Sequence, residues 1–297
     1  MIRKPEDLLK GLVQVSSLPV VYTRINEAVN NPQSSMKSIS DIISDDPGLT
    51  SRLLQLVNSA FYSFPSRIET VSRALFIVGT QQLRDLALAT SIMNLFKGIP
   101  EDLVNMESFW RHSVACGLAA KILATYRRCD MNVERFFAAG IIHDIGRLII
   151  YKKIPDTARE MIIRCKANRE LLYSVEKEVI GFDHSDLGRV LVRFWNLPPS
   201  LEEVVAYHHS PREARRYPIE TAVVHIADII VHAMQFGNSG EAYIPPMDEK
   251  AWGLIGIHTS VLSPTLDQLE REVKDVVQSL FGKCDYAEEN RRNKVSV

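Results

Sequence analysis

Apolar residues recur at spacings of three and four along most of the chain, and no stretch shows the alternation expected of a strand. Leu49, Leu53, Leu56, Val57 and Ala60 form one such stripe; Val114, Leu118 and Ile122 form another. The polar positions mark helix boundaries. Asp46-Pro47 predicts a helix start, with an oxygen to hold the first free amides and a ring that presets φ. Ser200-Leu-Glu-Glu203 has the spacing of a capping box and predicts a helix that ends before Pro211. TAVVHIADIIVHAMQF, residues 221–236, predicts a buried helix, and an amphipathic one is expected over about 264–282. The expected fold class is all-α, a multi-helix bundle.

Breakers divide these helices. Asn30-Asn31-Pro32, Ser63-Phe64-Pro65 and the stretch from Lys97 to Pro100 interrupt the first third, and Asn196-Leu-Pro198-Pro199 predicts a sharp turn. The stretch from Gly237 through Gly240 to Pro245-Pro246 reads as a linker. It separates a unit of residues 1–240 from a C-terminal segment, 241–297, made of linker, helix and the polar tail EENRRNKVSV, which is expected to fray. No internal repeat is evident.

Composition narrows the class. Hydrophobic residues are 46% and charged residues 24% of 297, a balance that suits a soluble globular protein. A net charge of −1 argues against a chain built to grip nucleic acid or an anionic membrane. Cys116, Cys129, Cys165 and Cys284 form no C-x-x-C pair and are read as reduced thiols, which points to the cytoplasm. The N-terminus lacks the apolar run of a signal peptide, and charged or histidine residues interrupt every candidate membrane span.

The chemistry lies inside the apolar segments. AAGIIHDIGRLII, residues 138–150, carries His143-Asp144 at its centre. His112, His184, the pair His208-His209 and Asp228 each lie in or beside an apolar helical stretch. Such groups are costly to bury unless paired or bound to a metal. A mixed imidazole and carboxylate set suits a divalent ion, with iron, manganese, zinc and magnesium as candidates. Adjacent residues on a helix diverge by about 100°, so His143 and Asp144 converge on one ion only if the chain bends between them. The competing reading of the same residues is a buried polar network. His225 and His232 flank Asp228 on one helical face and read as outer partners or polar edges. Trp110 and Trp195 read as core anchors.

The order H…HD…H…HH…D resembles the HD superfamily of metal-dependent phosphohydrolases. The first half resembles its HDOD branch: an early Leu18-Pro19, DPGLTSRLL, NSAFY and ALFIVG stand in the family's order, followed by FWRHS, AAGIIHDIGRLII, GFDHSDLGRVLVRFWNLP and AYHHSP. The resemblance covers roughly residues 10–235 and implies an N-terminal helical part of about 10–100 and an HD-like part of about 101–236. HDOD domains are bacterial signalling modules, and many have lost part of the metal site. The resemblance therefore implies an output module that acts by binding a signalling protein, with a degenerate metal site. Self-association into a homo-oligomer is compatible with it.

The alternative it implies is a metal-dependent phosphohydrolase acting on a nucleotide or cyclic dinucleotide. One or two ions would then acidify an attacking water. His112, His143, Asp144 and Asp228 would hold the first ion, with Asp144 bridging to a second held by His184, His208 and His209. Arg147 would neutralise phosphate charge. The HD-GYP relatives, which hydrolyse cyclic di-GMP, carry HHExxDGxGYP. Here the stretch is HHSPREARRYP, residues 208–218, with Ser210, Glu213, Ala214 and Arg216 in place of the acidic and glycine positions. Without those glycines the same tight loop is not expected, and cyclic di-GMP hydrolysis is not expected with it. DNA reading is not expected either. A recognition helix needs polar and basic residues on its outer face, and the second helix of SISDIISDDPGLTSRLLQLVNSA offers Arg52, Gln55 and Asn58 but a single basic residue.

Overall fold

The computed structural model describes residues 4–10, 18–93, 95, 96, 98–127 and 132–281. All regular structure among them is helical, with no strand. The helices are α1 (Pro5–Leu9), α2 (Val20–Asn30), α3 (Met36–Ser44), α4 (Pro47–Val57), α5 (Val71–Val78), α6 (Thr80–Ile92), α7 (Met106–Tyr126) and α8 (Val133–Ile142). They continue as α9 (Ile145–Lys153), α10 (Pro155–Asn168), α11 (Leu172–Ile180), α12 (His184–Phe194), α13 (Pro199–Tyr207), α14 (Pro218–Ala233), α15 (Glu249–Ile255) and α16 (Leu262–Phe281). No helix among the described residues is long and apolar enough to cross a membrane.

The N-terminal helices begin where their caps say. Asp46 accepts the Leu49 amide at 2.9 Å and Pro47 opens α4. α4 buries Leu49, Leu53, Leu56 and Val57, so its apolar stripe faces the core. Asn58 donates to the carbonyls of Leu54 and Ile68 at 2.7 and 2.8 Å and accepts the Ile68 amide at 2.7 Å. It closes the loop after α4, so it is not a base-reading side chain. α6 is buried from Leu83 to Ile92 and packs against α2, α4 and α8.

α7 is the axis of the second half, packed by α8, α14 and α16. Its crossing with α8 is set by glycines. A Cβ at Gly140 would lie 2.5 Å from Gly117 Cα and 2.8 Å from the Cys116 carbonyl carbon, so the two backbones meet without side chains between them. α9 approaches α12 in the same way, since a Cβ at Gly146 would lie 2.0 Å from the His184 carbonyl oxygen. These two approaches bring the segments bearing His112, His143, Asp144 and His184 together. Trp110 and Trp195 are buried, as expected of anchors.

Three helix boundaries differ from the sequence expectation. Residues 138–150 are two helices, broken where His143 caps α8 and Asp144 opens α9. The capping box at Ser200 does not form, because Pro199 takes the first helical position and Pro198 the cap. Glu203 instead accepts the amides of Arg215 and Arg216 at 2.9 to 3.1 Å, together with that of Tyr217, and so shapes the loop before α14. α14 starts at Pro218 and stops at Ala233, and Gln235 turns the chain with φ 56°.

The stretch expected as a linker packs inward. Ser239 and Glu241 are buried, and Asn238 donates its amide to the Ser108 carbonyl at 3.1 Å. α16, expected near 264–282, lies against α7 and α4. Cys116 and Cys165 are free and buried; Cys129, Cys284 and the polar tail lie outside the described residues.

Candidate metal centre

Asp144 stands at the opening of α9, yet its carboxylate makes no capping bond; only its carbonyl serves the helix, accepting the Arg147 amide at 2.9 Å. An aspartate at this position ordinarily turns back on the helix amides. Here the side chain is left to face the interior. Its Oδ1 lies 3.1 Å from His184 Nε2 and 3.7 Å from His208 Nε2. Its Oδ2 lies 3.4 Å from His143 Nε2 and 3.9 Å from His112 Nε2. The carboxylate therefore stands between two sets of imidazoles.

The first set closes on α14. Asp228 Oδ1 is 3.1 Å from His112 Nε2, 3.5 Å from His143 Nε2 and 3.3 Å from His232 Nε2. The second set closes on α12 and α13, where His184 Nε2 lies 3.3 Å from His208 Nε2 and 3.1 Å from His209 Nε2. Four groupings among the described residues meet metal-ligand spacing, and two of them share Asp144: Asp144 with His184, His208 and His209, and Asp144 with His112 and His143.

The far side of three rings fixes their tautomers. His143 Nδ1 donates to the Gly140 carbonyl at 2.7 Å and His208 Nδ1 to the Val205 carbonyl at 2.9 Å. His184 Nδ1 lies 2.6 Å from Glu176 Oε2, which also accepts the His184 amide at 2.9 Å. Carbonyl or carboxylate partners of this kind turn the other ring nitrogen toward a metal. His225 is different. Its Nδ1 donates to the His208 carbonyl at 2.6 Å and its Nε2 accepts the Asp248 amide at 2.9 Å, so both nitrogens serve the fold.

The converging atoms do not satisfy one another. Both nitrogens of His112, His143 Nε2, Asp144 Oδ1 and Asp228 Oδ1 are buried without a hydrogen-bond partner among the described residues, although His112 Nε2 and His143 Nε2 lie 3.1 and 3.5 Å from Asp228 Oδ1. Lone pairs pointing into a shared space leave buried polar groups uncompensated, an arrangement that a cation relieves. The residues present fit a divalent ion.

Charge is tuned accordingly. Burial alone would raise the Asp144 carboxyl; Arg147, His143 and His184 outweigh it and hold the group well below its usual range. Burial opposes ionisation of Asp228 too, and His232, His112 and His143 hold it well below. Burial and Arg147 disfavour the His184 cation, but Glu176 and Asp144 outweigh them and lift it to about 9. Burial also disfavours the His143 cation, and Cys116 and Asp144 raise it well above its ordinary value. Burial, then His232, lowers His112 to about 4; burial, then His143 and His184, lowers His208 to about 3.

Arg147 does not take the place expected of a phosphate contact. It is 1% exposed, donates to Ser239 Oγ at 2.9 Å, and lies 3.4 Å from Asp144 and 4.0 Å from Glu241. Burial and these carboxylates commit it to the interior. Glu241 also accepts the Leu172 amide at 2.7 Å, and Tyr151 donates to the Ser239 carbonyl at 2.8 Å. Residues 237–244 thus strap across the centre. Beside the strap a cavity of about 810 Å³ is lined by Arg111, His232, Asn238 and Tyr243.

All seven expected ligands, His112, His143, Asp144, His184, His208, His209 and Asp228, come together. Sequence reasoning missed Cys116 and Glu176 and undervalued His232. Cys116 and His232 each follow an expected ligand by one helical turn, a spacing that was readable. Glu176 sits on a different helix from His184, with no local signal.

An all-helical fold around a histidine–aspartate centre of this order defines a protein of the HD type. The HDOD domain profile matches residues 15–211, and the chain belongs to the HDOD family. The chain is 24% identical over 222 residues to an uncharacterised protein of Treponema pallidum (strain Nichols), covering 73% of this chain and 42% of that one. It thus spans less than half the length of that relative. Among solved structures it resembles an HDOD domain protein of unknown function from Geobacter sulfurreducens, with a TM-score of 0.72 and 24% identity over 89% of this chain and 92% of that one. It also resembles a candidate phosphohydrolase from Shewanella amazonensis SB2B, with a TM-score of 0.73 and 24% identity over 92% and 97% of the two chains. A candidate signal transduction protein from Marinobacter aquaeolei VT8 matches with a TM-score of 0.69 and 18% identity over 89% of this chain and 59% of that one. These likenesses support the fold.

Proposed function

We propose that this chain is a metal-holding regulatory module of a cytoplasmic signalling pathway, and that its output is the binding of a protein partner. One observation carries the metal: buried imidazoles and carboxylates from five helices converge, and His112, His143, Asp144 and Asp228 each turn an atom with no hydrogen-bond partner among the described residues into the group. A bound ion supplies positive charge to these donors and polarises any oxygen it meets. The residues do the rest. Glu176, Gly140 and Val205 hold the rings, and the ion would tie α7, α9, α12, α13 and α14 into one rigid body.

Binding is favoured over turnover because the chain's own groups are already committed. Arg147 is consumed by Asp144, Ser239 and Glu241, and the loop that replaces the HD-GYP turn is built on Glu203. The name of the Marinobacter neighbour is consistent with a signalling role. A second reading, metal-dependent phosphoester hydrolysis, is favoured by the cavity at Arg111 and His232 and by the name of the Shewanella neighbour.

Metal-loaded protein is expected to leave cyclic di-GMP intact, and to retain a signalling protein from its native cell that Asp144→Ala does not retain. Linear dinucleotide that disappears in Asp144→Ala would overturn the binding reading in favour of hydrolysis.

A further inference from the structure

We propose that Cys116 is a thiolate ligand of this centre, and that the site therefore takes a borderline-soft divalent ion, zinc, iron or cobalt, over magnesium or manganese. The proposal rests on the metal reading above. Cys116 follows His112 by one turn of α7, so both side chains leave the same face. It is fully buried, and its sulfur, a nitrogen of His143 and an oxygen of Asp228 lie within 4.8 Å of one another.

A buried cysteine is more often plain packing. Two further observations set this one apart. The groups it faces are themselves unpartnered: His143 Nε2 and Asp228 Oδ1 are buried with no hydrogen-bond partner among the described residues. His143 has already spent Nδ1 on the Gly140 carbonyl, so Nε2 is the atom with a lone pair to give. The helix crossing also leaves Cys116 little freedom, since Gly140 rests against Gly117 and the Cys116 backbone.

The donors have the right chemistry, and the spacing of the nitrogen and oxygen atoms suits one ion. His112, His143, Asp228 and Cys116 offer two nitrogens, one oxygen and one sulfur. Asp228 Oδ1 lies 3.1 and 3.5 Å from the two imidazole nitrogens. A tetrahedral ion about 2.0–2.1 Å from nitrogen and oxygen sets them about 3.4 Å apart. Thiolate favours zinc and iron, whereas an all-oxygen or imidazole–oxygen set admits magnesium and manganese. Coordination replaces the S–H bond with a sulfur–metal bond. The proton leaves to buffer, the sulfur pair is donated to the ion, and no oxidant or reductant is required.

Cobalt(II) separates this proposal from the reading beneath it. Visible d–d bands report that the centre binds, and a near-ultraviolet sulfur-to-cobalt charge-transfer band reports the thiolate. Wild-type protein is expected to show both. Cys116→Ser is expected to keep the visible bands and lose the near-ultraviolet band. Its zinc affinity should fall at least about tenfold, no less than loss of an outer partner costs. Zinc-edge X-ray absorption on the wild-type chain needs no variant and should find one sulfur at about 2.3 Å. Visible bands without the charge-transfer band, or a zinc shell of nitrogen and oxygen alone, would overturn the cysteine ligand while leaving the metal reading intact. Failure to bind cobalt at all would overturn both.

Discussion

The protonation of single side chains links the site to a measurable pH profile. In metal-free protein His184, lifted to about 9, and His143, raised well above its ordinary value, hold protons that the unfolded chain binds only with the ordinary imidazole value of 6.5. Their contribution is fully present below pH 6.5 and is lost for His184 as pH rises through about 9. His112 and His208 run the other way, lowered to about 4 and about 3, and their contribution is present above 6.5 and lost as pH falls. Chelated protein is therefore expected to show its highest melting temperature near pH 6.5, with a fall on both sides. An ion displaces the protons on His143 and His184, so metal-loaded protein should not weaken on the alkaline side. A melting temperature of the chelated protein that climbs steadily to about pH 9 would contradict this assignment. Residue identity was the most legible layer of the site. Histidine and aspartate in apolar surroundings are visible in a sequence because burial makes them costly. Arg147 shows the limit: its type suggested phosphate, whereas burial beside Asp144 and Glu241 assigns it to the interior.

Helices and their junctions supply what residue type cannot. His143 and Asp144 converge only because α8 ends and α9 begins between them. The glycines on either side, Gly140 and Gly146, let α8 meet α7 and α9 meet α12. The bend was anticipated as a condition for shared ligation; its place was not, since apolar periodicity runs straight through AAGIIHDIGRLII. α11 contributes Glu176, which grips both the ring and the amide of His184. Glu176→Gln is expected to lower metal affinity about 10–100-fold with helical content unchanged, because the amide orients the ring less firmly and lowers its basicity. Competition with a calibrated chelator measures this, and an unchanged affinity would remove Glu176 from the centre. The strap was the least legible element. Gly237, Gly240, Pro245 and Pro246 signal a linker by composition, yet Ser239 and Glu241 are drawn inward by Arg147, Tyr151 and the Leu172 amide. Such partners lie far off in sequence, and no local pattern encodes them.

Across the molecule, the two halves meet at an aromatic joint. Lys121 on α7 donates to the Phe61 carbonyl and lies 3.4 Å from the Phe61 ring centre and 4.8 Å from that of Tyr62. Tyr62 in turn donates to Glu134 on α8 at 2.8 Å. The NSAFY segment of the first half therefore rests on the same two helices that carry His112, Cys116 and His143. The all-helical class and the family order were legible because helix periodicity is local and the motifs stand in sequence order. The packing of α16 and the strap depends on contacts between distant segments. An ion at the crossing of five helices is the claim on which the rest stands. Elemental analysis of protein purified without chelator tests it most directly. The account predicts about one to two divalent first-row ions per chain, lost in His143→Ala and Asp144→Ala. Protein that carries no ion and takes up none on titration with zinc, iron or manganese would contradict it.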